Sequence, residues 1–85
     1  MKHIFVINPA AGQGKVLDFI RPKIEEVCQK YSLNCEIHVT EKAGEGIEYV
    51  RNKAASGEEI RFYACGGDGT LYDVVNGAFG YNNVQ

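Results

Sequence analysis

Three short runs of apolar and β-branched residues predict the strands of this chain. Residues 3–7, His-Ile-Phe-Val-Ile, have the composition of a strand that is buried on both faces of a sheet. Residues 34–39 alternate apolar and polar side chains, which is typical of a strand near a sheet edge. Residues 60–65 form the third run, and the Gly-rich segment after them ends it.

Apolar residues recur at helical spacing after each predicted strand. The first helical stretch contains Pro22, which removes a backbone hydrogen bond, so we expect a kink there or a helix that restarts at the proline. The second stretch ends near Ser56-Gly57 and the third at Gly80. The apolar stripes of the three helices are Val16, Ile20, Ile24, Val27, Cys28 and Tyr31; Ile47, Val50 and Ala54; and Leu71, Val74, Val75, Ala78 and Phe79.

The order β-α-β-α-β-α predicts an α/β fold. We expect a Rossmann-like, three-layer arrangement in which a parallel sheet carries helices on both faces and its crossovers are right-handed. Loops that lead from strand to helix emerge at the carboxyl edge of such a sheet, so residues 8–15, 40–46 and 66–70 should gather along one rim. These loops hold seven of the ten glycines. That concentration favours a backbone that approaches an anion.

Length and charge narrow the classes of protein that this chain can be. Eighty-five residues accommodate one small domain or part of one. A net charge of −2 gives no general attraction to nucleic acid or to an anionic membrane, so any anionic ligand must be held locally. No apolar run approaches the roughly 18 residues that span a bilayer, and the first strand follows Met1 without a signal peptide. We therefore expect a cytoplasmic protein.

The cysteines and histidines are expected to be structural. Cys28, Cys35 and Cys65 form no Cys-x-x-Cys pair, and their odd number argues against a disulfide framework. Cys28 and Cys65 fall in apolar patterns, where a thiol acts as a small hydrophobe. His3 and His38 each lack a second ligand at metal-binding spacing.

Two common phosphate-binding motifs are absent from the sequence. Gly12-Gln13-Gly14-Lys15 is not a Walker A loop, because position 9 is Pro instead of Gly and position 16 is Val instead of Ser or Thr. The two Gly-x-Gly segments, at residues 12–14 and 67–69, do not continue as G-x-G-x-x-G. These departures argue against a P-loop protein and a simple NAD-binding dehydrogenase half.

The segment Gly66-Gly67-Asp68-Gly69-Thr70 is the best candidate for an anion site. Paired glycines let successive N–H groups turn toward an anion, and the helix that follows adds its free amides and positive dipole end. Thr70 can cap this helix, donate its hydroxyl to a phosphate, or do both. Asp68 would repel an anion unless it binds a metal, accepts a proton or hydrogen-bonds its own loop in an Asx-turn, and the sequence leaves these roles open.

Three motifs in order resemble the start of the diacylglycerol kinase catalytic domain family, which includes bacterial lipid kinases, sphingosine kinases and ceramide kinases. They are residues 8–15, Asn-Pro-Ala-Ala-Gly-Gln-Gly-Lys; residues 40–44, Thr-Glu-Lys-Ala-Gly; and residues 66–71, Gly-Gly-Asp-Gly-Thr-Leu, with Val74-Val75-Asn76-Gly77 after them. The resemblance covers essentially the whole chain. It implies an enzyme that uses ATP and Mg²⁺ to transfer the γ-phosphoryl group to a lipid hydroxyl.

The resemblance also assigns the site residues. It implies that residues 8–12 and Thr40 surround the nucleotide, that residues 66–73 follow the triphosphate, and that Asp68 is the best candidate for a catalytic, proton-accepting or metal-linked role. The nucleotide-binding residues would be Asn8, Pro9, Ala10, Ala11, Gly12, Thr40, Gly66, Gly67, Asp68, Gly69, Thr70, Leu71, Tyr72 and Asp73. One departure is visible, because the family usually has Asn-Glu where this chain has Tyr72-Asp73. Lys15 is either a phosphate-binding lysine or a solvated one.

The resemblance further implies that residues 1–85 are the N-terminal, nucleotide-binding part of a longer enzyme. A β-rich domain that completes the lipid site would be absent from this chain, and peripheral membrane contact would belong to the longer protein. NAD kinases and phosphofructokinases share the Gly-Gly-Asp-Gly run, but they do not usually open with an Asn-Pro-x-x-Gly loop such as residues 8–12. A phosphotransferase like these enzymes and a non-catalytic nucleotide-binding module are the alternatives.

Overall fold

Strands and helices alternate along the chain as the sequence predicts. The computed structural model describes residues 1–10, 15–42 and 44–85, apart from the side chain of Val16. Its elements are β1 (Lys2–Ile7), α1 (Lys15–Lys30), β2 (Asn34–Val39), α2 (Glu45–Ala54), β3 (Ile60–Cys65) and α3 (Asp68–Ala78).

The strands form one parallel sheet in the order β2-β1-β3. The central strand β1 pairs with both neighbours over its whole length, so that Ile7 lies opposite Val39 on one side and Cys65 on the other. Beyond β3, the chain after α3 returns to the sheet at a parallel bridge between Ile60 and Val84. All three strands therefore end at the same edge, as the predicted α/β fold requires.

The main core lies on one face of the sheet. Ile4 and Val6 of β1 point to this face together with Ile60 and Phe62 of β3, because side chains alternate along a strand. Val50 of α2 and Val74 of α3 complete the cluster. The helices α2 and α3 thus form one outer layer of the fold.

A glycine lets α2 and α3 pack closely against each other. A Cβ at Gly77 would lie 2.7 Å from both the backbone oxygen of Ile47 and the Cβ of Val50. Any side chain larger than hydrogen would push the two helices apart.

The helix α1 forms the other layer. On this face Phe5 stacks on Tyr63 with their ring centroids 4.3 Å apart, and the Tyr63 hydroxyl lies 2.9 Å from Nδ1 of His3. Ile24 is the buried contact from α1, and an apolar groove of about 320 Å³ separates the helix from His3, Phe5 and Tyr63. The predicted three-layer fold is therefore confirmed. Fewer buried side chains connect the sheet to α1 than to α2 and α3 in the described residues.

Two details of the helices go beyond the sequence prediction or differ from it. The helix α1 runs from Lys15 to Lys30 with Pro22 inside it, so it does not restart at the proline, and the kink stays a prediction. In α3 the buried row is Thr70, Val74 and Gly77, whereas most of the predicted stripe is exposed. Packing against α2 and β3 selects the face that contains the small residues, because only this face permits close contact. The exposed residues of the predicted stripes include Val27, Tyr31, Leu71, Val75 and Phe79.

The expectation of no disulfide is wrong. Cys28 near the end of α1 is bonded to Cys35 at the start of β2, with their Cα atoms 6.4 Å apart, and both side chains are partly buried. The short turn at residues 31–33 brings the helix end beside the strand, a proximity that the parity of the cysteine count cannot reveal. Cys65 remains a free thiol, and partial burial raises its pKa.

No helix among those that the structure describes is long and apolar enough to cross a membrane.

A polar network holds α2 over the edge strand β2. Glu36 accepts a hydrogen bond from the hydroxyl of Tyr49 and lies 3.2 Å from Nζ of Lys2 and 3.1 Å from Nζ of Lys53. Burial alone would raise the pKa of the Glu36 carboxyl, but the hydrogen bonds from Tyr49, Lys53 and Lys2 outweigh burial and lower the pKa from its ordinary 4.5 to about 2.

The depressed pKa predicts a pH-dependent contribution of Glu36 to folding. A carboxylate with a lowered pKa stabilises the fold above its ordinary pKa, and this contribution disappears as pH falls from about 4.5 to about 2. We expect Glu36→Gln to lower the free energy of unfolding by about 1–2 kcal/mol at neutral pH. Urea titrations across this pH range should show the difference from the parent chain vanish toward pH 2.

A surface variant provides the control for this titration. Glu25 pairs with Arg21 on α1, where both side chains are more than half exposed, so Glu25→Gln should change stability little at any pH. A Glu36→Gln difference that stays constant down to pH 2 would contradict the assignment.

Candidate functional site

Backbone hydrogen bonds hold two loops at the carboxyl edge of the sheet. The N–H of Asn8, just after β1, donates to the Cys65 carbonyl at 3.1 Å. The N–H of Thr40, just after β2, donates to the Ile7 carbonyl at 2.9 Å, and its hydroxyl reaches the same oxygen at 3.3 Å. The strand pairing therefore continues past the strands and fixes where each loop leaves the sheet.

These loops and the start of α3 enclose one cavity of about 430 Å³. Its described lining comes from the loops after β1 and β2 and from the first turns of α3, which begin at the edge that the parallel topology predicts. The lining residues are Asn8, Pro9, Ala10, Thr40, Glu41, Lys42, Gly44, Gly69, Thr70, Tyr72 and Asp73.

The cavity brings together most of the residues that the sequence singled out. Asn8, Pro9, Ala10, Thr40, Gly69, Thr70, Tyr72 and Asp73 line it. Gly66, Gly67, Asp68 and Leu71 lie in the same connection or helix but are not among its lining residues. Ala11 and Gly12 lie outside the described residues.

Three lining residues were missing from the predicted list: Glu41, Lys42 and Gly44. They belong to the same motif as Thr40, and their place in a strand-to-helix loop was the signal that could have found them. Gly44 precedes α2 with φ +83°, the left-handed region that glycine adopts readily.

The first wall of the cavity is shaped by Asn8. Its side-chain Oδ1 accepts a hydrogen bond of 2.9 Å from the N–H of Ala10, which closes an Asx-turn. This turn gives the loop after β1 a fixed direction away from the sheet. The conformation of Asn8 is thereby determined by its own loop.

The start of α3 presents free backbone donors beside the cavity. Gly67 is the N-cap residue, and its carbonyl accepts from the N–H groups of Thr70 and Leu71 at 3.1 and 3.3 Å. Among the described residues, no acceptor pairs with the N–H groups of Asp68 and Gly69, the first two of the helix. Unpaired donors and the positive end of the helix dipole favour an anion here.

The predicted cap role of Thr70 is wrong, because Thr70 lies inside the first turn of α3 and the cap residue Gly67 has no side chain. Thr70 is only 4% exposed, and it packs against Gly66. A Cβ at Gly66 would collide with Oγ1 of Thr70 and lie 3.2 Å from Cβ of Asn8. Because Gly66 has no side chain, Asn8 of the loop after β1 and Thr70 of α3 can both lie against it.

The charged groups of the site are mostly acidic. Lys42 is the one cation among the described lining residues, against Glu41 and Asp73. A Cβ on Gly46 would lie 3.0 Å from Oδ2 of Asp73, so this carboxylate rests against the first turn of α2. Asp68 is exposed, and its carboxylate has no hydrogen-bond partner in the described part of the chain, so the Asx-turn reading finds no support there.

No metal site is formed by these side chains alone. Within residues 1–10, 15–42 and 44–85, no group of three His, Cys, Asp or Glu side chains is close enough to hold a metal ion. A Mg²⁺ ion usually needs only one or two protein carboxylates when substrate phosphates and water supply the other ligands. Asp68 and Asp73 are carboxylates of the kind that such an ion accepts.

Comparison with known proteins defines the class to which this fold and site belong. The family model of the diacylglycerol kinase catalytic domain matches residues 2–84 of this chain. The chain therefore belongs to the diacylglycerol kinase catalytic domain family, and the resemblance seen in its three motifs is confirmed.

Solved structures agree with this assignment. Two structures of a "putative diacylglycerol kinase" from Bacillus anthracis str. Sterne each align with 89% of this chain at 29% sequence identity and a TM-score of 0.63. The alignments cover 26% and 25% of those proteins, so the chain spans about a quarter of their length. No curated protein matches the chain with comparable significance.

The packing around the adjacent glycines 66 and 67 predicts that the same substitution destabilises the fold at one position and changes it little at the other. Gly66→Ala should lower the free energy of unfolding by about 1–3 kcal/mol and shift the NMR signals of Asn8 and Thr70, because the new methyl group overlaps both neighbours. At Gly67 a Cβ meets nothing within 4 Å and the backbone is extended, so Gly67→Ala should change stability by less than about 0.5 kcal/mol. Equal losses in the two variants, measured by urea unfolding, would contradict this packing.

Proposed function

We propose that this chain is the ATP-binding part of a lipid kinase that transfers the γ-phosphoryl group of ATP to a lipid hydroxyl. The observation that carries the proposal is the convergence of two strand-to-helix loops and the start of α3 on one cavity, beside the free N–H groups of α3. Membership of the diacylglycerol kinase catalytic domain family supports a nucleotide as the anion and a lipid as the acceptor.

The triphosphate would be held mainly by the backbone. The N–H groups of Asp68 and Gly69 are free donors in the described chain, and a phosphate oxygen is the acceptor that suits the start of a helix. The buried hydroxyl of Thr70 lines the cavity one residue further on. Fixed backbone dipoles need no reorganisation when phosphate arrives, which suits a reaction that depends on positioning.

The charge of the site supports a requirement for a counter-ion. Lys42 is outnumbered by Glu41 and Asp73 in the described lining, and ATP brings further negative charge. We propose Mg²⁺ as the counter-ion, with Asp68 or Asp73 as its protein ligand, because Mg²⁺ is commonly shared between a carboxylate and substrate phosphates. When bound, the ion would neutralise charge on the transferring phosphoryl group.

The lipid would be bound largely outside these residues. The chain spans about a quarter of the length of its structural neighbours, so we propose that it is the N-terminal part of a longer enzyme whose further domain completes the acceptor site. Such an enzyme would work in the cytoplasm and meet its acceptor at the membrane surface. Asp68 is the group in this chain that we propose to accept a proton or to fix the metal near the reacting phosphoryl group.

An NMR titration with ATP tests the composite site. We expect Mg-ATP to shift the amide signals of residues 8–10, 40–42 and 66–71 together with one dissociation constant, because the three loops share one edge of the sheet. Adenosine is the matched control, since it keeps the base and ribose but lacks phosphate and should leave residues 66–71 unchanged. Shifts confined to one loop, or located at Asn34 and Ile60 on the opposite edge, would refute the proposal.

Replacing Asp68 by Asn tests its role in the longer enzyme. Asn keeps the size and the hydrogen-bonding capacity for an Asx-turn but removes the charge. We expect lipid phosphorylation at saturating Mg-ATP to fall by a factor on the order of 10² or more in Asp68→Asn, while the protein stays folded. Activity equal to that of the parent enzyme would leave Asp68 with a loop role only, and ATP binding without any turnover in the parent would favour the non-catalytic module.

A further inference from the structure

A histidine on β2 is joined to the first residue of α2. Nε2 of His38 donates to Oε1 of Glu45 at 2.7 Å, and both side chains are about three-quarters buried. The imidazole also stacks on the ring of Tyr49, with a centroid separation of 3.6 Å and an angle of 7° between the planes. The ring of His38 is thus held on one side by stacking and at its edge by a carboxylate.

Glu45 depends on this contact. Its second oxygen, Oε2, is buried without a hydrogen-bond partner among the described residues, so His38 supplies the described side-chain hydrogen bond of this carboxylate. A buried carboxylate with no partner is costly. The position of Glu45, and with it the start of α2, is therefore coupled to His38.

The segment between these two residues is a wall of the cavity. Thr40, Glu41, Lys42 and Gly44 line the cavity, while neither His38 nor Glu45 does. One end of this wall is attached to the sheet by the hydrogen bonds from Thr40 to Ile7. The other end is attached by His38 through Glu45, whose N–H also donates to the Lys42 carbonyl at 3.3 Å.

We propose that His38 is a positioning residue for nucleotide binding, which acts through Glu45 to hold residues 40–42 and Gly44 against the cavity. This inference rests on the proposed ATP site. Loss of the His38 contact releases one end of the wall and allows Lys42, the cation of the described lining, to move away from the phosphates. His38 is then more than the structural histidine that the sequence predicts.

Two substitutions at His38 separate the hydrogen bond from the ring. His38→Phe keeps a ring that can stack on Tyr49 but removes the donor to Glu45, whereas His38→Gln keeps a donor at about the reach of Nε2. We expect His38→Phe to weaken Mg-ATP binding roughly tenfold, within the range known for residues that do not touch the ligand. His38→Gln should bind within about threefold of the parent chain because the hydrogen bond is retained.

Tyr49→Phe is the matched control for a merely structural effect. It removes the hydroxyl that hydrogen-bonds Glu36 and keeps the ring on His38, so it perturbs the same helix and strand without releasing Glu45. We expect this variant to lose stability and to bind Mg-ATP as the parent does. Should His38→Phe fail to fold, Glu45→Ala removes the same link without leaving a buried carboxylate, and its affinity should fall to the same extent.

The outcomes distinguish this inference from the function on which it rests. If the parent chain gives no ATP-dependent shifts at all, the proposed function fails, and the role of His38 in nucleotide binding fails with it. If the parent binds ATP and His38→Phe binds equally well, or Tyr49→Phe weakens binding as much as His38→Phe does, the site stands and the positioning role is overturned.

Discussion

The parallel pairing of β1 with both of its neighbours is the constraint on which the rest of the molecule depends. Ile4, Val6 and Ile7 are completely buried, and the register places the end of β1 beside the ends of β2 and β3. Each strand leads into a helix at the same edge. The backbone hydrogen bonds of β1 to its two neighbours therefore align the core residues and bring together the segments that line the cavity.

The cavity depends more on backbone than on charged side chains. Its free backbone donors lie at the start of α3, where Gly66 gives Thr70 and Asn8 room to approach and the first helical N–H groups have no partner in the described chain. The lining side chains carry more negative than positive charge in the described residues. In the function that we propose, such a site would select its anion through geometry and through the counter-ion that accompanies it.

Besides pairing with β1, the edge strand β2 holds the helix α2 in place through its polar side chains. Glu36 holds the middle and the end of α2 through Tyr49 and Lys53, and His38 holds the first residue of the same helix. These contacts lie on the side of β2 that faces α2, where a strand of alternating pattern presents its polar residues. Through these contacts, the edge strand β2 supports one wall of the cavity.

The element order, the parallel α/β class, the edge at which the loops gather and the family could be predicted from the sequence, because they follow from local periodicity and from contiguous motifs. The packed structure was needed to show which face of α3 is buried, that Cys28 bonds Cys35, and that Gly66 rather than Gly67 is sterically confined. It also revealed the link from His38 to Glu45. Each of these depends on the distance between atoms of different elements, which packing sets and residue spacing along the chain does not encode.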